Sequence, residues 1–391
     1  MASTSLEGLN TSIIGNSLMK DVGEEVFMPY LPSINTITAH TSNDGNVVSV
    51  NGGDFTSTSN ITVEIPKYGY LSCLALDYGV ASAASPTNLP TISTASPAHV
   101  SYANLEYLEV RCQGKKILGY SGVGIHHMLA NYLTKSQYEA INLLSGDGAR
   151  TRSVLVIPVF GALFDKKLAL NTVLLDRMEI VFKFSGAGAP NSASGNLVHF
   201  WYHQVNPETE AKLRSELFSK GNRNVLMYDC QTYSISSVTS LNLTSQKLVR
   251  CHYVDEVITN SLGNSYNYAL GSNATVANNA ISQKVTVKAG GRIIYDANKL
   301  ITATLGAVLN GKEVNNTRCL CVDYRNGILK GSSADYSSGL ALRHLPQPTL
   351  EVSAFMTDGS NATNRLVVSE EAYVMVSLEA NTGRVQVVAE N

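Results

Sequence analysis

The chain repeats itself. Residues 110–118 read VRCQGKKIL and residues 287–295 read VKAGGRIIY, an offset of 177 with glycine and adjacent bases at the same places. Each segment has the form of a β-hairpin, with apolar residues on either side of a Gly-containing turn. Further along, Leu168-Ala169-Leu170 followed by Met178-Glu179-Ile180 matches Leu340-Ala341-Leu342 followed by Leu350-Glu351-Val352, now at an offset of 172. Two matches in one order with nearly equal offsets imply a tandem duplication. The repeated unit is about 170 residues long, and the 391 residues hold it twice.

The local pattern says what kind of unit it is. Short runs of Val, Ile, Leu, Tyr and Thr alternate with clusters of Gly, Asn, Ser and Asp, the pattern of strands and turns. Strands are predicted over 61–65, 71–76, 105–112, 154–159, 177–184, 285–289, 350–355, 373–378 and 384–388. The last two are joined by Glu379-Ala380-Asn381-Thr382-Gly383, a hairpin loop with Gly where a positive φ is required. Helical periodicity is confined to residues 5–25, 124–144 and 207–220, the last with Pro in its first turn, acids early and bases late. A β-rich unit of this size protects its sheet edges best as an eight-stranded jelly roll. The fold class expected is therefore all-β, two tandem eight-stranded jelly rolls with a few short helices. The expected divisions are an N-terminal arm at 1–25, a first roll at 26–206, a linker helix at 207–222 and a second roll at 223–391.

Charge narrows the function. The 29 Lys and Arg against 31 Asp and Glu leave a net charge of −2, and 15% of residues are charged, against about 25% in an ordinary soluble domain. There is no basic block, so neither sequence-specific nucleic-acid binding nor attraction to an anionic membrane surface is expected. The opening MASTSLEGLN has no cationic and apolar leader pattern, and the longest apolar stretch is about half of the ~20 residues needed to span a bilayer. Six cysteines without a CxxC pair are expected as buried thiols.

The segment ITVEIPKYGYLS (residues 61–72) is an extended strand running through an Ile-Pro turn into the next strand. It is followed by 105–118 with Glu109, Gly114 and Ile117, a helical stretch at 124–133, then Val156-Ile157-Pro158-Val159-Phe160, Leu168-Ala169-Leu170 and Met178-Glu179-Ile180-Val181-Phe182. In the second half, Gly331 to Ser338, Leu350-Glu351-Val352 and the hairpin 371–388 continue the series. In this order the motifs resemble those of double jelly-roll major capsid proteins, the PRD1/adenovirus-like lineage of tailless DNA viruses. The resemblance covers nearly the whole chain, and it is carried by the order of degenerate motifs. It departs from the family at Tyr70, where many members from large eukaryotic DNA viruses carry an acidic residue, and the chain lacks their long tower insertions.

The resemblance implies a mechanical function. A major capsid protein of this kind assembles as a pseudo-hexagonal homotrimer that tiles the icosahedral shell of a DNA virus, here one expected to enclose an internal membrane. Its partners would be itself, neighbouring capsomers and minor or vertex proteins. Its place would be the virion, after synthesis in the host cytoplasm. The amphipathic core of the arm, Leu9, Ile13, Ile14 and Leu18, would either reach beneath the shell to a neighbour or the membrane, or pack as a helix on its own domain.

Candidate chemistry is sparse, and no enzyme activity and no cofactor are expected. His126-His127 lie adjacent on a helix and so point in different directions, with no His at i+4 to complete a metal pair. Cys319 and Cys321 share one strand face, with Cys251-His252 far along the chain; core packing is the reading of both. Gly119-Tyr120-Ser121-Gly122 is not a nucleophile elbow, and Gly122-Val123-Gly124 and Gly186-Ala187-Gly188 lack the third glycine of a dinucleotide loop. The alternative function is a viral spike or lectin-like jelly-roll binding protein. A lectin would be expected to show aromatic platforms, whereas this chain has a single Trp, Trp201, and scattered tyrosines.

Overall fold

A computed structural model of the chain describes residues 46–57, 59–79, 102, 105–134, 137, 140–141, 152–158, 170–173, 175–184, 195–203, 211, 215, 222–236, 240–258, 284–298, 301–302, 304–305, 319–324, 339–353, 364–379 and 382–389. In the first half the strands are β1 (Asn46–Asn51), β2 (Ile61–Glu64), β3 (Tyr70–Gly79), β4 (Leu105–Cys112), β5 (Lys115–Tyr120), β6 (Arg152–Ile157), β7 (Leu170–Asn171), β8 (Met178–Phe184) and β9 (Leu197–His203). The second half contributes β10 (Asn222–Ser236), β11 (Ser240–Asn242), β12 (Leu248–Ile258), β13 (Lys284–Ala289), β14 (Arg292–Asn298), β15 (Leu320–Asp323), β16 (Leu340–Ala341), β17 (Thr349–Ser353), β18 (Asn364–Glu379) and β19 (Val385–Ala389). The helix α1 (Gly122–Tyr132) follows β5.

The two halves have one topology. The first pairs its strands as β1-β9-β3-β6 and β2-β8-β4-β5; the second as β10-β18-β12-β15 and β11-β17-β13-β14. With the two-residue strands β7 and β16 and the last strand β19, which pairs with β18, set aside, each half has one sheet ordered first, eighth, third, sixth and another ordered second, seventh, fourth, fifth. That is the jelly-roll order, in which chain-distant strands close the sandwich. The two-residue strands correspond as well, since β7 pairs with β3 and β16 with β12, whereas β19 has no counterpart among the described residues of the first half.

The repeated hairpins agree residue by residue. Gln113 and Gly114 turn β4 into β5 with φ of 51° and 75°, and Gly290 and Gly291 turn β13 into β14 with φ of 53° and 75°. Two positive φ values mark the hairpin turn whose twist matches the flanking strands, and glycine adopts them without strain. A bulge then leaves Ile117 opposite no partner, and Ile294 likewise, 177 residues on. The second sequence match shifts by two residues. Val110 pairs with Ile180 and Val287 with Leu350, so the structural offset is 170 rather than 172. A slip of two keeps every side chain on its face of the sheet, which is why the sequence match survived it.

Each roll encloses its own core. In the first, Leu74, Phe200 and Tyr202 of one sheet meet Leu108, Val110, Ile180 and Phe182 of the other. Phe55 fills the gap, its ring 5.0 Å from Phe182 and nearly perpendicular to it. In the second, Val249, Val254, Val322 and Val368 face Val285, Val287, Leu350 and Val352. All six cysteines are buried thiols, in line with the sequence reading.

Some boundaries move. The helix expected over 124–144 begins two residues earlier, at Gly122, because the Ser121 hydroxyl caps it by accepting from Gly124 N at 3.0 Å. It ends at Tyr132, where Leu133 turns extended. The final long strand begins at Asn364 rather than 373, since β18 pairs along its length with both β10 and β12. The arm 1–25, with Leu9, Ile13, Ile14 and Leu18, lies outside the described residues. So does the helical stretch 207–220, except Ala211 and Ser215. Among the described residues no helix is long and apolar enough to cross a membrane.

Candidate functional site

The two rolls are joined along a seam between β5 and β10. The edge strand β5 of the first roll meets the edge strand β10 of the second in parallel, Tyr120 opposite Cys230. The second sheet of roll one and the first sheet of roll two thereby become one continuous sheet. Ser121 fastens the contact: its N–H donates to Cys230 O at 3.0 Å, and its Oγ accepts from Thr232 N at 2.8 Å while also capping α1. The Tyr120 hydroxyl donates to Tyr228 O at 2.8 Å.

Helix α1 leaves this point and lies over β10 and β18. Strand alternation then gives β18 two buried faces. Leu366 and Val368 enter the core of the second roll, whereas Val367 and Tyr373 join the apolar cluster of the first. Between the latter pair stand Ser369 and Glu371, both fully buried, and their polar groups are met from α1. His127 Nδ1 lies 2.9 Å from Ser369 Oγ, and its Nε2 lies 3.6 Å from Asp255 Oδ2 on β12. Asn131 Nδ2 donates to Cys319 Sγ at 3.3 Å.

Glu371 is the hub. It accepts from the Arg250 guanidinium, from the Tyr253 hydroxyl and, at 2.8 Å, from the hydroxyl of Tyr132 at the end of α1. Arg250 is 1% exposed. It occupies the bulge between Val249 and Cys251, where β12 carries one residue more than β18. A bulge re-aims a side chain, and this one sends a cation against its anion at the seam. Its guanidinium carbon also lies 4.7 Å from the Tyr132 ring centroid and 5.2 Å from that of Tyr228. The charge is thus met by a carboxylate and two aromatic faces, the arrangement a buried ion needs. The Glu371 carboxylate in turn helps push the Cys230 and Cys251 thiols well above their ordinary range, after burial itself. These are packing groups, held as neutral thiols.

A separate polar set lies on the opposite face of the same sheet. His252 Nδ1 is 2.7 Å from the Tyr324 hydroxyl and its Nε2 3.3 Å from Glu370 Oε2. Asp229, beside Lys247, has its carboxyl pushed up to about 6, chiefly by burial, with Lys247 opposing.

The sequence candidates are accounted for as follows. His126 and His127 do point apart: His127 crosses the seam, and His126 packs near Tyr102, ring centroids 5.7 Å apart. Burial, then His127, hold His126 well below the usual imidazole range. The topology places Cys251 next to Cys321, because β12 and β15 are neighbours, a proximity that spacing alone could not give. Among the described residues no three or more His, Cys, Asp or Glu side chains are arranged to hold a metal ion. The hub Arg250–Glu371 was not singled out from the sequence. Its signal was present, as Arg250 inside the apolar run LVRCHYV and the pair Glu370-Glu371 inside VVSEEAYV.

No protein-family model and no curated protein matches the sequence. Solved structures do. The chain is similar to PBCV-1 VP54 as fitted into a cryo-EM reconstruction of the virophage Sputnik, with TM-score 0.64 and 10% identity over 89% of this chain and 97% of that one. It is similar to the quasi-atomic model of the PBCV-1 virus capsid, with TM-score 0.63 and 10% identity, again over 89% and 97%. The Faustovirus major capsid protein gives TM-score 0.52 at 11% identity over 85% of this chain and 90% of that one. With two complete sandwiches of one strand order standing side by side, and these likenesses over nearly the full length of each chain, the fold of this protein is a double jelly roll.

Proposed function

We propose that the chain is a major capsid protein, a building block of the icosahedral shell of a DNA virus, with a structural rather than a catalytic role. One observation carries the reading: two rolls of one topology are locked abreast by a continuous sheet and a buried ionic hub. A rigid two-roll block gives a pseudo-hexagonal unit when three copies surround an axis, since six similar rolls then stand in a ring. The low charge content supports it, because a coat that packs against its own copies needs apolar edges more than a solvating surface. The similar structures, which include a virus capsid and a major capsid protein, support it as well.

In this reading residues 26–206 and 223–391 are the two rolls and 207–222 the linker. The arm 1–25 reaches a neighbouring capsomer or an internal membrane through Leu9, Ile13, Ile14 and Leu18. Minor or vertex proteins complete the shell, and the protein is made in the host cytoplasm. The test is sedimentation of the purified chain at micromolar concentration. A species of three times 42.0 kDa that persists in moderate salt is expected, and a monomer would overturn the proposal.

A further inference from the structure

Among the described residues, the edges equivalent to the internal seam, β1 and β14, pair with no further strand. The equivalence can be set residue by residue. The bulges in β3 and β12 place Cys73 opposite Trp201 and Cys251 opposite Glu371, so Trp201 corresponds to Glu371. Val47 pairs with Trp201 and Cys230 with Glu371, which makes Val47 on β1 the counterpart of Cys230 on β10. On the other side, the shared hairpin register carries β5 onto β14, and the caps extend it. Ser121 Oγ accepts from Gly124 N at 3.0 Å, and Asn298 Oδ1 accepts from Ile301 N at 2.8 Å, so Ile301 is the counterpart of Gly124.

Within the chain Gly124 lies against Cys230, the Cys230 thiol donating to Gly124 O at 3.4 Å. The counterparts are two bare apolar side chains: Val47 is 44% exposed and Ile301 48%. Ile293, the counterpart of Lys116 on β5, is 56% exposed. Lys116 acts on the Asp229 carboxylate of β10, and by the same register Asp229 corresponds to uncharged Asn46. The Lys116 and Asp229 charges inside the chain are therefore replaced on β14 and β1 by Ile293 and Asn46.

We infer that β1 of one copy of this chain receives β14 and the helical turn after it from a second copy, with Val47 packed against Ile301 and Ile293 lying over the start of β1. The inference rests on the trimeric reading above and names the surface it uses. The fit is not a copy of the internal seam. A Cβ on Gly124 would lie 2.7 Å from Cys230 O, so the internal seam is a backbone approach that only Gly admits. With Ile301 in that place, two copies stand further apart and fill the space with side chains. Because β1 and β14 are different edges, the contact is head-to-tail, and three copies close it into a ring.

The test is site-directed cross-linking of the full chain. Val47→Cys and Ile301→Cys are introduced together and treated with a short bismaleimide, the six native thiols being buried. Covalent trimers are expected on a denaturing gel from the double variant, and none from either single variant. Trimers in sedimentation that yield no covalent trimer would overturn this contact while leaving the trimeric reading in place. Monomers in sedimentation would overturn both. Independently of these variants, Val47→Asp is expected to weaken trimer association at least tenfold in a chain whose circular dichroism is unchanged, with Thr62→Asp, an exposed position on β2 in the other sheet of the same roll, leaving it intact. Unchanged association of Val47→Asp overturns the contact.

Discussion

The Tyr132 hydroxyl, at the last turn of the first roll's helix, donates at 2.8 Å to Glu371 on a central strand of the second roll. The same carboxylate holds Arg250. A neutral donor from one roll thus stabilises an ion pair belonging to the other, which couples the folding of the two. Tyr132→Phe is expected to cost about 1–2 kcal/mol, and Glu371→Gln about 3–5 kcal/mol because it strands the buried Arg250 charge. In a double-mutant cycle followed by urea unfolding the two losses should be less than additive. Strict additivity would mean that the hydroxyl and the carboxylate do not act together.

Gly124 tests how closely the rolls approach. Gly124→Ala places a methyl against backbone rather than a yielding side chain, so α1 must lift from β10. A loss of about 1–3 kcal/mol is expected, although alanine has the higher helix propensity. Thermal unfolding that rises in this variant would show that the seam is slack.

Asp229 gives a pH dependence of known sign. Its folded carboxyl is pushed up to about 6 by burial, against about 3.9 in the unfolded chain. Between those values the folded protein holds a proton that the unfolded chain has lost. The stability from this group is therefore complete below pH ~4 and declines as pH rises through 6. Asp229→Asn should abolish that decline and leave the variant more stable than the parent at pH 8 by up to roughly 2–3 kcal/mol. Parallel stability curves for parent and variant from pH 4 to 8 would refute the assignment.

His126 acts in the opposite direction. Burial keeps its imidazole neutral in the folded state, so only the unfolded chain takes up a proton near pH 6.5. The stability from this group is present above that pH and is lost as pH falls below it. His126→Phe is expected to flatten the acid limb of the stability curve below pH ~6.5, measured by guanidinium unfolding at stepped pH. An unchanged slope would contradict a neutral buried His126.

Much of the fold could be read before any coordinates, and the reasons are physical. Hairpin turns are local, so Gln113-Gly114 and Gly290-Gly291 announce themselves and carry their bulges with them. Strand 105–112 matches β4 at both ends, because its alternation is bounded by a turn. Register between distant strands is another matter: the offset of 172 against the observed 170 is invisible to a pattern that repeats every two residues. The seam was the least legible part. That Arg250, Glu371 and Tyr132 converge depends on a bulge and on β18 lying between β10 and β12, both set by tertiary pairing. What the sequence did offer was a charge in the middle of an apolar strand, a feature that in a buried strand demands a partner.

Electron cryomicroscopy of the purified oligomer, at a resolution that separates individual rolls, addresses the central claim most directly. A flat block of six similar lobes with threefold symmetry is expected, each chain contributing two adjacent lobes. A particle with two lobes, or an oligomer whose rolls do not form a ring, would contradict the account.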